Sequence, residues 1–113
     1  MSILSESSRW TLNRRAICKD GFSLSIQASE ASYCLPREND AERYMKVEVG
    51  FPSKPEPLLA PYQSGEGAMS NDVFLFVPVP VVALILIKHG GMVEGELPAG
   101  VASFALPDKT QDR

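Results

Sequence analysis

The chain has few of the residues that build metal and disulfide sites. Its 113 residues hold two cysteines, Cys18 and Cys34, and one histidine, His89. A structural zinc site draws four ligands from such residues at close spacing, and no C-x-x-C is present. One cysteine pair makes no disulfide framework, so both thiols read as free and buried, which fits a reducing compartment. Signature loops are missing as well: there is no G-x-x-x-x-G-K-[ST], no G-x-G-x-x-G and no H-E-x-x-H. The Gly-x-Gly in SGEGAM has no strand before it and no helix after it. Neither a metal nor a cofactor is therefore expected. A net charge of −3 argues against non-specific nucleic-acid binding, which needs a basic face. The opening residues, MSILSESSRW, lack the basic start and apolar run of a secretory leader.

What is present suits one globular domain. Hydrophobic residues make up 44% and charged residues 22% of the chain. A chain of this length buries about two-thirds of its unfolded surface and needs no staple to hold a core. A polar arm over residues 1–13, one α+β domain over 14–106 and a flexible tail over 107–113 are expected. Phe22, Leu24, Ile26 and Ala28 alternate with Ser23, Ser25 and Gln27, the period of a half-buried strand. Asp20-Gly21 before it signals a turn, with Ala16 to Cys18 as a short partner strand. Met45, Val47, Val49 and Phe51 alternate with Tyr44, Lys46, Glu48 and Gly50 to give a second strand, ended by Pro52. A proline-rich excursion follows, with one helical turn around 57–60, and the tail after Gly91 supplies an edge strand or lies along the surface.

The most apolar stretch, VFLFVPVPVVALILIKHGG, begins at Val73. Val73 to Val77 reads as a strand buried on both faces, and Pro78 and Pro80 stop it. The same prolines suit the first turn of a helix, from about Val79 to His89, with Gly90-Gly91 as its C-cap. A bilayer span needs about 20 apolar residues in one helix, and the two prolines leave far fewer. The fold expected is α+β: an antiparallel sheet of three to five strands with one main helix packed on it. That helix has no polar stripe, so an outer face that includes Ala83 and Leu86 is expected to be oily. A homodimer packed helix against helix, a target protein or the C-terminal tail would cover it.

Candidate chemistry is sparse. Cys34 with His89 would make a thiol–imidazole pair, against the plainer reading of a buried thiol and a helix-capping histidine. Asp40, Glu42 and Glu48 would pair as carboxylates, against a solvated strand face. Arg37 and Arg43 flank a loop beside Tyr33 and Tyr44, with Arg14 and Arg15 upstream. Arginine forks near aromatic rings suit phosphates and stacked bases, so a pocket sequestering a nucleotide signal stands as the alternative function.

The segments YCLPREND, YMKVEVGFPS, LLAPY and VPVPVV…IKHGG, spread over residues 14–91, resemble small accessory proteins encoded by bacteriophages and prophages. The resemblance implies a protein acting in the cytoplasm of the host cell and inhibiting host machinery, CRISPR effectors and other immune complexes included. In that pattern the helix carries charges among its apolar residues, and this chain departs there. The leading expectation is a non-enzymatic, dimeric inhibitor of a host protein complex. Its binding surface would comprise Tyr33, Arg37, Arg43, Tyr44, Glu48, Ala83 and Leu86.

Overall fold

A tight turn starts the sheet. Asp20 Oδ1 accepts from the Phe22 N–H at 2.9 Å, and Gly21 supplies the positive φ of 95°. Strand β1 (Ala16–Cys18) thereby folds back antiparallel on β2 (Ser23–Gln27). β2 pairs with β3 (Lys46–Gly50), and β3 with β4 (Val73–Pro78). Helix α1 (Val79–Lys88) follows at once, and β5 (Met92–Glu94) returns to pair with β1. The sheet has five strands in the order β4-β3-β2-β1-β5, all antiparallel. The architecture is the expected α+β arrangement of one sheet and one main helix. This computed structural model describes residues 12–102, so the expected tail at 107–113 and all but the last two residues of the arm lie outside it. Among the described residues no helix is long and apolar enough to cross a membrane.

Strand alternation sorts the side chains. Leu24, Ile26, Val47, Val49, Phe74 and Val77 are buried together with Val82, Ile85 and Leu86 of the helix. Ser23, Ser25, Gln27 and Glu48 stand half-exposed on the opposite face. The alternation expected for β3 holds only in its middle. Met45 and Phe51 are exposed, whereas Tyr44 is buried. Two local causes account for this. Phe51 takes a φ of 51°, which ends the pleat. Met45 still belongs to the preceding loop, where its N–H donates to the Leu35 carbonyl at 2.7 Å.

Two further expectations are corrected. Strand β4 is not buried on both faces. It is an edge strand, and the pairs Val47↔Val77 and Val49↔Phe74 leave both Leu75 and Phe76 opposite Glu48. That is a β-bulge, and it puts Phe76 at a φ of 51° with its side chain exposed. Leu86 is not on the outside of the helix but fully buried, and Ala83 is half-buried. The helical period puts Val82, Ile85, Leu86 and His89 on one side, leaving Leu84 and Ile87 outward, 55% and 47% exposed.

The helix ends are built as their sequence implies. Pro80 sits in the first turn, where a missing N–H has no partner to lose. Gly90 N–H donates to Ile87 O at 3.0 Å and Gly91 N–H to Leu86 O at 2.7 Å, with φ near 93° and 92°. This is the Schellman arrangement, and it needs residues at ease with positive φ. The long excursion between β3 and β4 contains 3₁₀ turns at Pro57–Tyr62 and Met69–Asn71. Its end is gathered by Asp72, whose carboxylate accepts from Ser64 Oγ (2.7 Å), Gln63 Nε2 (3.0 Å), Gly65 N (2.9 Å) and Val73 N (2.8 Å). Those bonds, the Ser64 hydroxyl first, hold its pKa down to about 2.

Truncation separates the two sides of this layer. Phe74→Ala empties a fully buried site and is expected to cost about 3–5 kcal/mol in urea unfolding. Leu84→Ala on the exposed side is expected to cost less than about 1 kcal/mol. A comparable loss at Leu84 would mean that this side of the helix is covered.

Candidate functional site

The residues singled out in the sequence do not form one pocket. Tyr44 is a core residue, 4% exposed, with its hydroxyl donating to the Glu38 carbonyl. The stem of Arg43 lies close to Gly100. Arg14 faces Glu96 at 3.6 Å, and the Arg15 guanidinium is tied to Ser23 and to the Phe51 carbonyl. Ala83 and Leu86 belong to the helix, as described. The structure does bring Tyr33, Arg37 and Glu48 together. Glu48 Oε1 accepts from the Tyr33 N–H at 2.9 Å, and the Arg37 guanidinium lies 4.8 Å from the centre of the Tyr33 ring.

Around Tyr33 the surface is apolar. Phe76 meets the Tyr33 ring edge-on, with centroids 6.1 Å apart and planes at 73°, a favoured aromatic geometry. The Phe76 N–H donates to the Tyr33 carbonyl at 3.1 Å, so bulge and loop are fastened to each other. Leu35 pairs with Lys46 as an isolated bridge and accepts from Met45. Tyr33, Leu35, Met45 and Phe76 are all substantially exposed, Met45 at 62%. Sequence reading missed Leu35 and Phe76. In VFLFVP nothing marks which of two phenylalanines faces out, because the bulge that decides it is a property of the β3 pairing.

Beside this patch the uncovered face of the sheet carries an open cleft of about 210 Å³. Ser25, Gln27 and Glu48 line it together with Leu12, Phe51 and Val73. Its polar groups are partly engaged: Gln27 Nε2 donates to Ser25 Oγ and to the Asn13 carbonyl, each at 2.9 Å.

A separate cluster of ionisable groups lies where the helix ends. His89 Nδ1 is 2.7 Å from Asp20 Oδ2, and its Nε2 is 2.8 Å from Glu56 Oε1. Glu56 Oε2 accepts from Lys88 Nζ at 2.8 Å and from the Leu58 N–H at 3.1 Å. Phe22 stacks on the imidazole with centroids 3.9 Å apart. Both ring nitrogens are thus engaged by carboxylate oxygens. The cluster ties the helix C-terminus to the β1–β2 turn and to the excursion. Burial pushes the Glu56 carboxyl up, but hydrogen bonds from Lys88, His89 and Leu58 outweigh it and hold the group below its ordinary range. The Phe22 N–H, then His89, hold Asp20 down likewise. Glu56 was not foreseen, since a lone acid between Pro55 and Pro57 gives no sign of burial.

The thiol–imidazole pair is not formed. The Cys34 thiol lies 3.2 Å from the Ser29 carbonyl and 3.3 Å from that of Pro36, and burial pushes its pKa up. Burial, then the Asp20 charge, pushes Cys18 to about 11. A buried thiol with a raised pKa is a poor nucleophile at neutral pH. Among the described residues no group of three or more His, Cys, Asp or Glu side chains is placed to hold a metal ion. Set against known proteins, the chain matches no family model, no curated protein and no solved structure.

The carboxylate cluster sets a pH dependence with a definite sign. Groups whose pKa is lower folded than unfolded stabilise the fold above the unfolded value, and that contribution fades as pH falls through the folded value. Wild-type stability in urea is expected to fall below about pH 4.5. Glu56→Gln is expected to be less stable by roughly 2–3 kcal/mol at pH 7, with the gap closing as the pH approaches 2.5. A gap that stays constant with pH would show that the charge of Glu56 contributes nothing.

Proposed function

We propose that the chain is a non-catalytic protein-binding module whose docking surface is Tyr33, Leu35, Met45 and Phe76, with Arg37 at the rim. The observation that carries this reading is Phe76. A bulky side chain at positive φ costs on the order of 1–3 kcal/mol, and here the bulge holds its ring in water against the exposed ring of Tyr33. Aromatic residues, methionine and arginine are the residues that interface centres favour. Covering the rings with a partner would offset the cost of presenting them. The finer reading makes that partner a protein complex of a bacterial host and the chain its phage-encoded inhibitor in the host cytoplasm. Its support is the sequence resemblance of residues 14–91.

Self-association is a second reading, favoured by the outward Leu84 and Ile87 on α1. It needs a helix face that is narrower than the sequence suggested, because Val82, Ile85 and Leu86 are taken up by the core. A nucleotide pocket made of Arg37, Arg43, Tyr33 and Tyr44 has less support, with Tyr44 in the core and Arg37 already stacked on Tyr33.

Affinity capture from a bacterial lysate, run with wild type and with Phe76→Ser and Met45→Asp, tests the docking surface. Both variants are expected to keep a wild-type melting temperature within a few degrees and to lose the captured complex by tenfold or more. Leu84→Glu is expected to leave capture intact and, under light scattering, to abolish any dimer. Undiminished capture by the Phe76 and Met45 variants would refute the proposed surface.

A further inference from the structure

The cleft on the open sheet face adjoins the docking surface through Glu48, and its chemistry is specific. Of the residues that line it, Glu48 alone is charged among the described residues. Its Oε1 is taken by the Tyr33 N–H, and Oε2 has no partner among the described residues. None of the ion pairs among the described residues involves it: Arg14 pairs with Glu96, Lys88 with Glu56, and His89 with Asp20 and Glu56. The nearby arginines are engaged elsewhere, Arg15 on backbone carbonyls and Arg37 on the Tyr33 ring. Phe51, held outward at a φ of 51°, supplies an aromatic wall, and Leu12 and Val73 supply apolar ones. The Ser25 hydroxyl accepts from Gln27 and lines the space. The cleft therefore presents one carboxylate, the side chains of Ser25, Ser29, Ser32 and Gln27, and apolar walls from Leu12, Phe51 and Val73.

Size and geometry narrow the occupant. A volume of about 210 Å³ falls below the roughly 300–1,000 Å³ of pockets that bury a whole small molecule, and it suits a single side chain. A guanidinium reaches full strength only when it bridges both oxygens of a carboxylate, and Glu48 has one to give. An ammonium is a compact point charge on an apolar stem, and it gains further from an aromatic face.

We propose that the cleft receives a lysine side chain of the partner protein, its ammonium on Glu48 Oε2 and its stem along Phe51. This deepens the protein-binding reading given above and rests on it. Charge complementarity selects the occupant, since the lining bears one negative charge and no positive one.

The test titrates the ¹⁵N-labelled full chain with acetyl-Gly-Lys-Gly-amide and follows backbone amides. The matched peptides carry norleucine or arginine in place of lysine, and n-butylammonium is run alone. The lysine peptide is expected to shift Ser25, Gly50 and Phe51 and to saturate in roughly the millimolar range. Glu48→Gln keeps a carbonyl oxygen for the Tyr33 N–H and is expected to weaken binding roughly fivefold or more. The norleucine peptide is expected to leave these amides unmoved. Equal binding of norleucine, tighter binding of arginine, or an unchanged affinity in Glu48→Gln each overturns the proposal. Butylammonium binding more tightly than the peptide would assign the cleft to a free amine and overturn it too. If no peptide binds while Phe76→Ser still abolishes capture, the lysine site falls and the docking surface stands. If the peptide binds while Phe76→Ser captures normally, the docking surface falls instead.

Discussion

One helix covers one face of a sheet, and this chain, over its described residues, has one main helix for five strands. Everything else follows from that imbalance. The covered face holds Leu24, Ile26, Val47, Val49, Phe74 and Val77 against Val82, Ile85 and Leu86. The other face is left with serines, Gln27 and Glu48, and with aromatic rings at its margin. A polar floor lets such a face meet water. The exposed rings of Phe51, Phe76 and Tyr33 do not share that excuse, and they are where a functional reading has to start.

The rings stay where they are because β4 is held from several sides. Asp72 gathers the end of the excursion at the first residue of the strand. The Tyr33 carbonyl fastens the bulge. Helix α1 leaves directly from Pro78 and is anchored at its far end by His89 and Lys88 on the buried carboxylate of Glu56. The carboxylate cluster holds the C-terminal end of the helix to the β1–β2 turn and to the excursion, and the extra residue of β4 is taken up at Leu75 and Phe76, opposite Glu48. Proline at 78, which cannot donate to a neighbouring strand, also blunts the end of this sheet edge.

Much of this order was legible in the residues. The Asp-Gly turn, the alternation in β2, the prolines that end one element and open the next, and the paired glycines after Lys88 each act through local backbone physics, which sequence states directly. The departures have physical causes. The exposure of Phe76, Tyr44 and Met45 depends on pairing with another segment, and an all-apolar helix gives no phase by which to see that Leu86 faces the core. A bulge shifts a face by one residue, and a run of apolar residues gives no phase by which to see it. Likewise the sequence marks Tyr33 as a surface aromatic with Arg37 nearby but gives no sign of its apolar neighbours. Leu35 and Met45 join it only through the loop's bridge to Lys46. Glu56 was invisible for the same reason: its three side-chain and backbone donors come from residues at 58, 88 and 89.

The proposed docking surface is the sheet margin around Tyr33 and Phe76, and not the outer side of α1. Hydrogen–deuterium exchange on the free chain and on its purified complex reads this residue by residue. Added protection is expected at residues 33–35, 45–48 and 75–76, with little change across 80–88. Protection confined to the helix, with the sheet margin exchanging as in the free chain, would contradict it.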